Sequence, residues 1–584
     1  MNKNILSFLQ ELVHRALVAG FGRDWSGEPG LLEPDVTHCM QPHLGHYQCN
    51  NALKLAKALK KNPREIAAEL MGHFESSSHS VIEKCEIAGA GFINITLSSS
   101  YLAERTQVIL RDAHVGVALA AQRQKIIVEF SSPNIAKELH VGHIRSTIIG
   151  DTLARLFEFL GHDVLRLNHI GDWGTQFGML ITYMQTHASE VLLEKRKTDL
   201  AELLMWYRAA KKCFDEDPQF KKNAQLKVVA LQNHDPDTLR VWKMICDISR
   251  LAFQEIYDLL DVRLQERGES FYNPYLPQVI HDLENKGLIT LSEGAKCVFL
   301  EGFHNRDGSP LPMIVQKSDG GYNYDTTDLA AMWHRTQVEK ADRIIYVTDA
   351  GQSLHFAMLF KVSQLVGYVD PHKVKVDHVP FGVVLGADGK KFKTRSGETE
   401  KLSDLLMEAV YQAEAILQER LPELSAEEVA RLGRILGIDA VKYADLCCHR
   451  LKDYAFSYER MLKFEGNTAA FLLYAYVRIQ GIKRKVGREA DPEKPLSLEH
   501  PTELNLALHL CQFGETLDQM ARDLLPNRLT DYLYSLAEKF HAFFRDCRVE
   551  GSPQEASRLQ LCAATSRVLE KGINLLGLKI LDRM

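Results

Sequence analysis

The chain has 584 residues, 45% of them hydrophobic and 25% charged, with a formal net charge of −6 at pH 7. Such a length exceeds what one hydrophobic core sustains and predicts three or four domains of ordinary globular composition. The mild negative charge excludes a uniformly basic nucleic-acid binder, so any RNA surface has to be a local basic patch. No apolar run reaches the ~18 residues of a membrane span.

From Met1 to about Leu110 the pattern predicts a small α+β domain, with amphipathic helices over 4–17 and 48–72 and strands near 80–97. Ile5 to Leu17 carries Glu11, unlike a targeting segment. Ala88 to Ile95 supplies a glycine turn and then an alternating strand; its Gly-x-Gly is too short and wrongly placed for a dinucleotide fingerprint. His43-Leu44-Gly45-His46 follows Pro42 in a stretch with no strand before it and no long amphipathic helix after it, which predicts a loop.

Ile126 to Phe130 is a short β-branched run bounded by Ser131, Ser132 and Pro133, the pattern of a buried parallel strand entering a turn. Ile135, Leu139, Val141, Ile144, Ile148, Leu153 and Leu156 recur at helical spacing, with Asn134 as the expected N-cap. His140, Gly142 and His143 then fall in the first turns. Both imidazoles project to one side, the glycine between them lets a ligand approach the backbone, and the helix N-terminus favours phosphate. Asp163 to His169 reads as a second strand, and Gly171-Asp172-Trp173-Gly174 turns off its end. This strand–helix–strand unit is the first half of a doubly wound sheet, in which ligands bind beyond the C-terminal strand ends.

Residues 183–265 are mostly helical and heavily charged, the core of an expected helical insertion over about 183–310. Arg343 to Val347 and Val379 to Leu385 read as strands that complete the parallel sheet. Asp388-Gly389-Lys390 makes a turn, a loop follows, and a helix begins near Ser403 or Asp404. After Leu424 the chain reads as almost wholly helical. The expected fold is multidomain α/β. Its parts are a small N-terminal α+β domain (1–110), a Rossmann-like doubly wound catalytic domain with the helical insertion (120–400), and a C-terminal helical bundle (401–584). Eleven cysteines without a Cys-x-x-Cys pair predict reduced thiols in a cytoplasm and no zinc site.

His140-Val141-Gly142-His143 resembles the HIGH motif of class I aminoacyl-tRNA synthetases. Ser131 to Leu180 closely resembles arginyl-tRNA synthetases, and the likeness continues in Gly321 to Met332, Tyr346 to His355, the stretch from Lys390, Gly466 to Ile479 and the chain end at Met584. The resemblance spans nearly the whole chain. It implies an enzyme that joins L-arginine to tRNA(Arg) through an arginyl adenylate, using ATP with its Mg2+, without a dedicated metal site, as a cytoplasmic monomer that touches no membrane.

What the resemblance implies about residues is specific. His140, His143 and Lys137 would act in catalysis, and His140, Gly142, His143, Lys393 and Arg395 would hold ATP. The class loop Lys-Met-Ser-Lys-Ser is altered to Lys391-Phe392-Lys393-Thr394-Arg395-Ser396, with Thr394 at the key second lysine; Lys137, three residues before His140, matches the position understood to compensate. Glu129, Ser132, Pro133, Asn134, His143, Tyr324, Asp328 and Gln352 would hold arginine. A guanidinium demands planar, charged acceptors, and Tyr324 and Asp328 lie four apart on a predicted helix. Phe92 and Asn94 would touch the tRNA, as would Phe471, Tyr474, Arg478, Lys483 and Met584, where aromatic and basic residues alternate at helical spacing. A site that leaves acceptors unpaired with the wrong substrate needs no proofreading, so no editing activity is expected.

Three other readings compete. A class I synthetase for glutamate would meet carboxylates in its pocket, and one for cysteine would want zinc-ligand cysteines. A nucleotidylyltransferase sharing the histidine helix would not need the long helical C-terminus. An idle RNA-binding scaffold would not need His140, His143, Lys137 and Asp328 together.

Overall fold

The computed structural model describes residues 4–22, 29–39, 41, 43–74, 80–386, 389–390, 401–581 and 583–584. The chain forms two compact units, Ala121–Leu462 and the remainder, Met1–Ala120 with Lys463–Met584.

In the second of these, helix α1 (Ile5–Phe21) starts where Asn4 accepts a hydrogen bond from the Ser7 N–H. Strands β1 (Val36–His38) and β2 (Tyr47–Cys49), helices α2 (Asn51–Leu59) and α3 (Pro63–Gly72), and strands β3 (Ile82–Ala88) and β4 (Phe92–Leu97) follow, then helix α4 (Ser99–Arg111). The strands form one antiparallel sheet in the order β1-β2-β4-β3. The single helix expected over 48–72 is two, because Lys60 turns left-handed (φ 53°) and Pro63 can only begin a new helix.

The larger unit is built on a five-stranded sheet. It comprises β5 (Lys125–Glu129), α5 (Val141–Phe159), β6 (Asp163–Asn168), α6 (Thr175–His187), α7 (Ser189–Leu192), α8 (Leu200–Glu216), α9 (Pro218–Gln232), α10 (Pro236–Leu260) and β7 (Gln265–Glu266). Then come α11 (Leu276–Asn285), β8 (Thr290–Ser292), β9 (Ala295–His304), β10 (Pro310–Gln316), α12 (Tyr324–Trp333), β11 (Arg343–Asp349), α13 (Ser353–Val366), β12 (Lys375–Phe381) and β13 (Val384–Leu385). It closes with α14 (Leu402–Arg420), α15 (Ala426–Leu446), β14 (Tyr454–Ala455) and α16 (Tyr458–Met461).

The sheet order is β12-β11-β5-β6-β7 and every pairing is parallel. The chain leaves β5 toward β6 on one side and later returns to β11 on the other, so the strand order reverses beside β5. That crevice is where an open α/β sheet binds its ligand. One face of the sheet packs on α11, α12 and α13 through Ile127, Leu167, Ile344, Val279, Leu329 and Leu359, all fully buried. Helix α5 lies so close to the chain after β5 that a Cβ at Gly150 would stand 2.1 Å from Phe130. Only glycine fits there, and the fit seats the histidine motif at the end of β5.

Three expectations change. Within the stretch of about 183–310 expected to be a helical insertion, the continuous run of helices ends at Leu260, α11 follows, and residues 290–316 form the antiparallel sheet β10-β9-β8. The run Val379 to Leu385 is split. β12 ends at Phe381, and β13 pairs instead with β14, because Gly382 is packed against Lys452 and Asp453 with no room for a Cβ (2.5 Å to Asp453 Oδ1). The expected domain break at 401 falls at 462, since α15 is sewn into the sheet unit. Arg145 of α5 pairs in the interior with Asp445 at 3.1 Å and donates to the carbonyls of Gly382 and Lys452, and Lys442 donates to the Leu260 carbonyl.

Helices α17 (Ala469–Val486), α18 (Pro501–Cys511), α19 (Phe513–Asp523), α20 (Asn527–Asp546) and α21 (Glu555–Leu575) form a bundle in the same unit as α1–α4. Glu515 of α19, 4% exposed, accepts from the Leu6 N–H and the Tyr47 hydroxyl and meets His38 at 2.6 Å, joining bundle and N-terminal sheet.

Candidate active site

The strand end and the helix start are joined by irregular backbone. Ser131, Ser132 and Ala136 adopt positive φ (71°, 46° and 57°), and distant partners hold the loop there. Asn168 accepts from the Ser132 N–H, Ser249 from the Ala136 N–H, and the Ser131 hydroxyl bonds Tyr257. The helix therefore starts later than its periodicity suggests, and its N-cap is His140 instead of Asn134. Asn134 is exposed and bridges to Gly171. Ser132 accepts from the His169 N–H, and Pro133 is buried, its carbonyl taking the Gly171 N–H.

The two histidines cap each other. His140 Nδ1 accepts from the Gly142 N–H (3.0 Å), His143 Nδ1 accepts from the His140 N–H (3.2 Å), and the rings lie 4.1 Å apart. A capping box usually built from serine and glutamate is here made of imidazoles. With both Nδ1 atoms accepting, the protons sit on Nε2. Burial, with His140 adding, pushes His143 down to about 3, and burial with Lys137 also lowers His140. The rings are thus neutral Nε2–H donors. Two N–H groups at the helix start are spent on them. Positive charge beside them comes from Lys137, which is exposed.

Lys401 and Leu402, at the start of α14, are fastened to this motif. The Leu402 N–H donates to the Leu139 carbonyl, Lys401 pairs with Glu138 at 2.7 Å, and His140 and Lys401 form an antiparallel bridge. Lys393 and Arg395 themselves lie outside the described residues.

Across the crevice, Tyr324 and Asp328 do share the first turn of α12; Tyr324 is 57% exposed and so can receive a ligand. His355 of α13 donates from Nε2 to Asp328 Oδ2 (2.7 Å), its Nδ1 lies 3.3 Å from Asp325 Oδ1, and its ring is 5.3 Å from that of Tyr324. His169, at the end of β6, has Nε2 3.8 Å from the other Asp328 oxygen. Gln352 is exposed and donates to Asp349 at the end of β11. Glu129, at the end of β5, is buried against Arg335 of the π-turn that extends α12, an ion pair by distance without hydrogen-bond alignment. The Arg335 guanidinium also lies 5.2 Å over the Tyr346 ring. Glu269 stands in the same region. Burial, with like charge from Asp328 and Asp172, pushes its carboxyl up to about 8.

His355, Asp325, Glu269, His169 and Arg335 are not among the residues expected from sequence. Three of them fall inside matching stretches without being singled out there, His169 in Ser131 to Leu180, Asp325 in Gly321 to Met332 and His355 in Tyr346 to His355, whereas Glu269 and Arg335 fall outside.

In the other unit, Phe471 packs against Tyr534 and His541, while the Arg478 guanidinium lies 4.5 Å over Tyr474 and 4.9 Å over Phe544. Lys483 pairs with the exposed Glu489 at 3.4 Å. Phe92 and Met584 are half-buried. Asn94 is 3% exposed and its amide oxygen accepts from Gln48, so the expected RNA contact is instead an internal link between strands β4 and β2. The second His-x-Gly-His is a loop entering β2, where His46 Nδ1 accepts from the Leu97 N–H.

A parallel sheet with a histidine-capped helix at its reversal point is the arrangement of a class I aminoacyl-tRNA synthetase catalytic domain, and the family comparison agrees. The family model for that domain, "tRNA synthetases class I (R), catalytic domain", matches residues 105–458. Models for an arginyl tRNA synthetase N-terminal domain and a DALR anticodon-binding domain match 7–97 and 472–584. The arginine–tRNA ligase of Protochlamydia amoebophila is 57% identical over 99% of this chain and all of its own, and that of Chlamydia caviae is 52% identical over the full length of both. The crystal structure of the Plasmodium falciparum arginyl-tRNA synthetase superposes with a TM-score of 0.87 at 32% identity, each chain wholly covered. The Thermus thermophilus enzyme shares the fold (TM-score 0.80, 23% identity, 99% and 100% covered). The chain belongs to the arginyl-tRNA synthetase family.

Proposed function

We propose that the crevice between β5 and β11 joins L-arginine to tRNA(Arg) in two steps. An arginine carboxylate oxygen attacks the α-phosphorus of ATP, and the bond to the bridging oxygen breaks, releasing pyrophosphate. A hydroxyl of the terminal tRNA ribose then attacks the adenylate carbonyl, and AMP leaves. Negative charge gathers on the phosphate in the first step, between two anionic reactants. The Nε2–H groups of His140 and His143 and the Lys137 ammonium are the groups that stabilise it, together with Lys393 and Arg395. Gly142 lets the nucleotide lie against the helix start. Mg2+ accompanies the nucleotide as part of the substrate.

Arginine is held with its guanidinium at Asp328 and Tyr324 and its α-amino and carboxylate groups toward Glu129, Ser132, Pro133 and Asn134, with Gln352 and His143 completing the pocket. The observation that carries this reading is the pairing, on one turn of α12, of a carboxylate with an exposed tyrosine ring at the mouth of the crevice. An acceptor and a π face side by side suit a flat cation. The Tyr474–Arg478–Phe544 stack, with Phe471 and Lys483, would bind the single-stranded anticodon loop, and Phe92 and Met584 would contact the tRNA elsewhere. Catalytic and RNA-facing groups on one chain support a working monomer, and eleven cysteines outside any disulfide suit the reducing cytoplasm. We assign the helical α6–α10 segment no editing role.

Exchange of labelled pyrophosphate into ATP, run with each amino acid and with or without total tRNA, tests the reading. Exchange that depends on arginine is expected; exchange driven by another amino acid would overturn it.

A further inference from the structure

Two carboxylates three residues apart on one helix turn repel each other, and burial makes the repulsion worse. Asp325 is 5% exposed and Asp328 is partly enclosed, yet the structure sets a single imidazole between them, with one ring nitrogen toward each. The arrangement uses both N–H donors of a charged ring. Burial opposes that charge, but hydrogen bonds to Asp325 and Asp328 outweigh it and hold His355 up at about 10. Asn323 donates to the remaining oxygen of Asp325. Asp325 is thus spoken for on both sides, whereas Asp328 has His355 on Oδ2 and only the more distant His169 near Oδ1.

We infer that His355 is a positioning residue of the arginine pocket: it bridges Asp325 and Asp328, fixes Asp328 through Oδ2, and leaves Oδ1 for the substrate guanidinium. The three groups carry one net negative charge between them, which a single guanidinium neutralises. Without a donor on Oδ2, Asp328 would be free to turn away from the place its guanidinium partner must occupy. The Tyr324 ring packs beside the imidazole, so the same residue also sets one wall of the pocket. This inference rests on the reading of Asp328 as the guanidinium acceptor.

The two ring nitrogens can be replaced separately. In His355→Gln the amide nitrogen can take the place of Nε2 and keep the donor to Asp328; in His355→Asn it takes the place of Nδ1 and keeps only Asp325. Steady-state tRNA charging should show the arginine KM of His355→Asn raised at least about tenfold, with kcat and the ATP KM within about threefold of wild type. The arginine KM of His355→Gln should stay within about threefold of wild type. Thermal melting and ATP binding of each variant report whether the fold is intact. If Asp328→Asn raises the arginine KM but neither His355 variant does, the positioning role is overturned and the pocket reading stands. If Asp328→Asn leaves the arginine KM unchanged, the pocket reading itself fails. Equal damage in Gln and Asn variants, or a loss that falls on kcat and ATP as much as on arginine, would show His355 to be merely structural.

Discussion

The pattern His-x-Gly-His occurs twice, and the two copies have little in common beyond their letters. At 140–143 both rings cap a nineteen-residue helix and present Nε2–H to a crevice. At 43–46 the glycine takes φ 149° and His46 turns its Nδ1 onto the Leu97 backbone, tying a loop to the end of the interior strand β4. What suits the first copy to the proposed chemistry is its platform: a buried parallel strand before it and a long helix after it. The four residues themselves are neutral as to role.

Replacing His140 and His143 together by Ala should break this comparison most visibly. Each loses a donor aimed at developing charge and a cap, so adenylate formation should fall by roughly 10²–10³-fold or more. Replacing His43 and His46 should leave that rate within about twofold but cost about 1–3 kcal/mol of stability, because the buried Leu97 N–H is left without its acceptor. Single-turnover pyrophosphate release and thermal melting distinguish the two; comparable kinetic damage from both pairs would mean the wrong copy has been placed at the chemistry.

Lys137 sharpens the comparison, since it stands three residues before the first copy where the second has Met40. Lys137→Ala should slow adenylate formation by about tenfold while the arginine KM holds, the mark of a charge that acts mainly in the transition state. A shift in arginine KM with an unchanged rate would assign Lys137 to ground-state binding.

A smaller effect should come from pH. Glu269, pushed up to about 8 from an ordinary 4.5, keeps its proton in the folded protein between those values. Its stabilising contribution is complete below pH 4.5 and is lost as pH rises through about 8. A guanidinium at Asp328 favours the ionised form, so arginine affinity should rise a few-fold, in order of magnitude, between about pH 7 and 9. Glu269→Gln should flatten that rise. Calorimetric titration with arginine across the range checks it, and an identical profile in the variant would detach Glu269 from the pocket.

The smallest effect belongs to the other unit. Replacing Lys483, Arg484 and Lys485 by Ser should lower the slope of tRNA affinity against salt by about 0.7 for each phosphate no longer neutralised, with arginine and ATP affinities unchanged. Filter binding of labelled tRNA over a salt series, on a variant whose melting is unaltered, measures it; an unchanged slope would exclude these residues as phosphate ligands.

Strand β5 and helix α5 are legible in the sequence because a β-branched run and a 3.6-residue repeat are local properties of the chain. The loop between them is not. Ser131, Ser132 and Ala136 are left-handed without being glycine, and the partners that hold the loop, Asn168, Ser249 and Tyr257, lie between 36 and 126 residues away. The same limit hides Arg335 behind Glu129 and puts Asn94 on the expected surface, because the Gln48 that takes its amide oxygen sits on a neighbouring strand. Family likeness supplies Asp328 and Gln352, but not the histidine between two carboxylates, which becomes visible only when α12 and α13 are side by side. The sheet β8–β10 escapes for a simpler reason: its alternating pattern follows directly on a long helical stretch and reads as part of the same insertion.

Helix α12 and its π-turn carry Asp328 near one end and Arg335 seven residues on, about 10 Å along the axis for a helix of ordinary rise. Arg335 backs Glu129, so the two ends of the proposed arginine pocket are referenced to a single rigid rod. Such a rod works as a gauge. A side chain one methylene longer or shorter brings its cation to the wrong mark, at a cost of about 1–3 kcal/mol by the usual worth of a methylene in a fitted site. The pocket can thus sort substrates by length as well as by charge, and homologues of arginine should be rejected on both sides of the natural length.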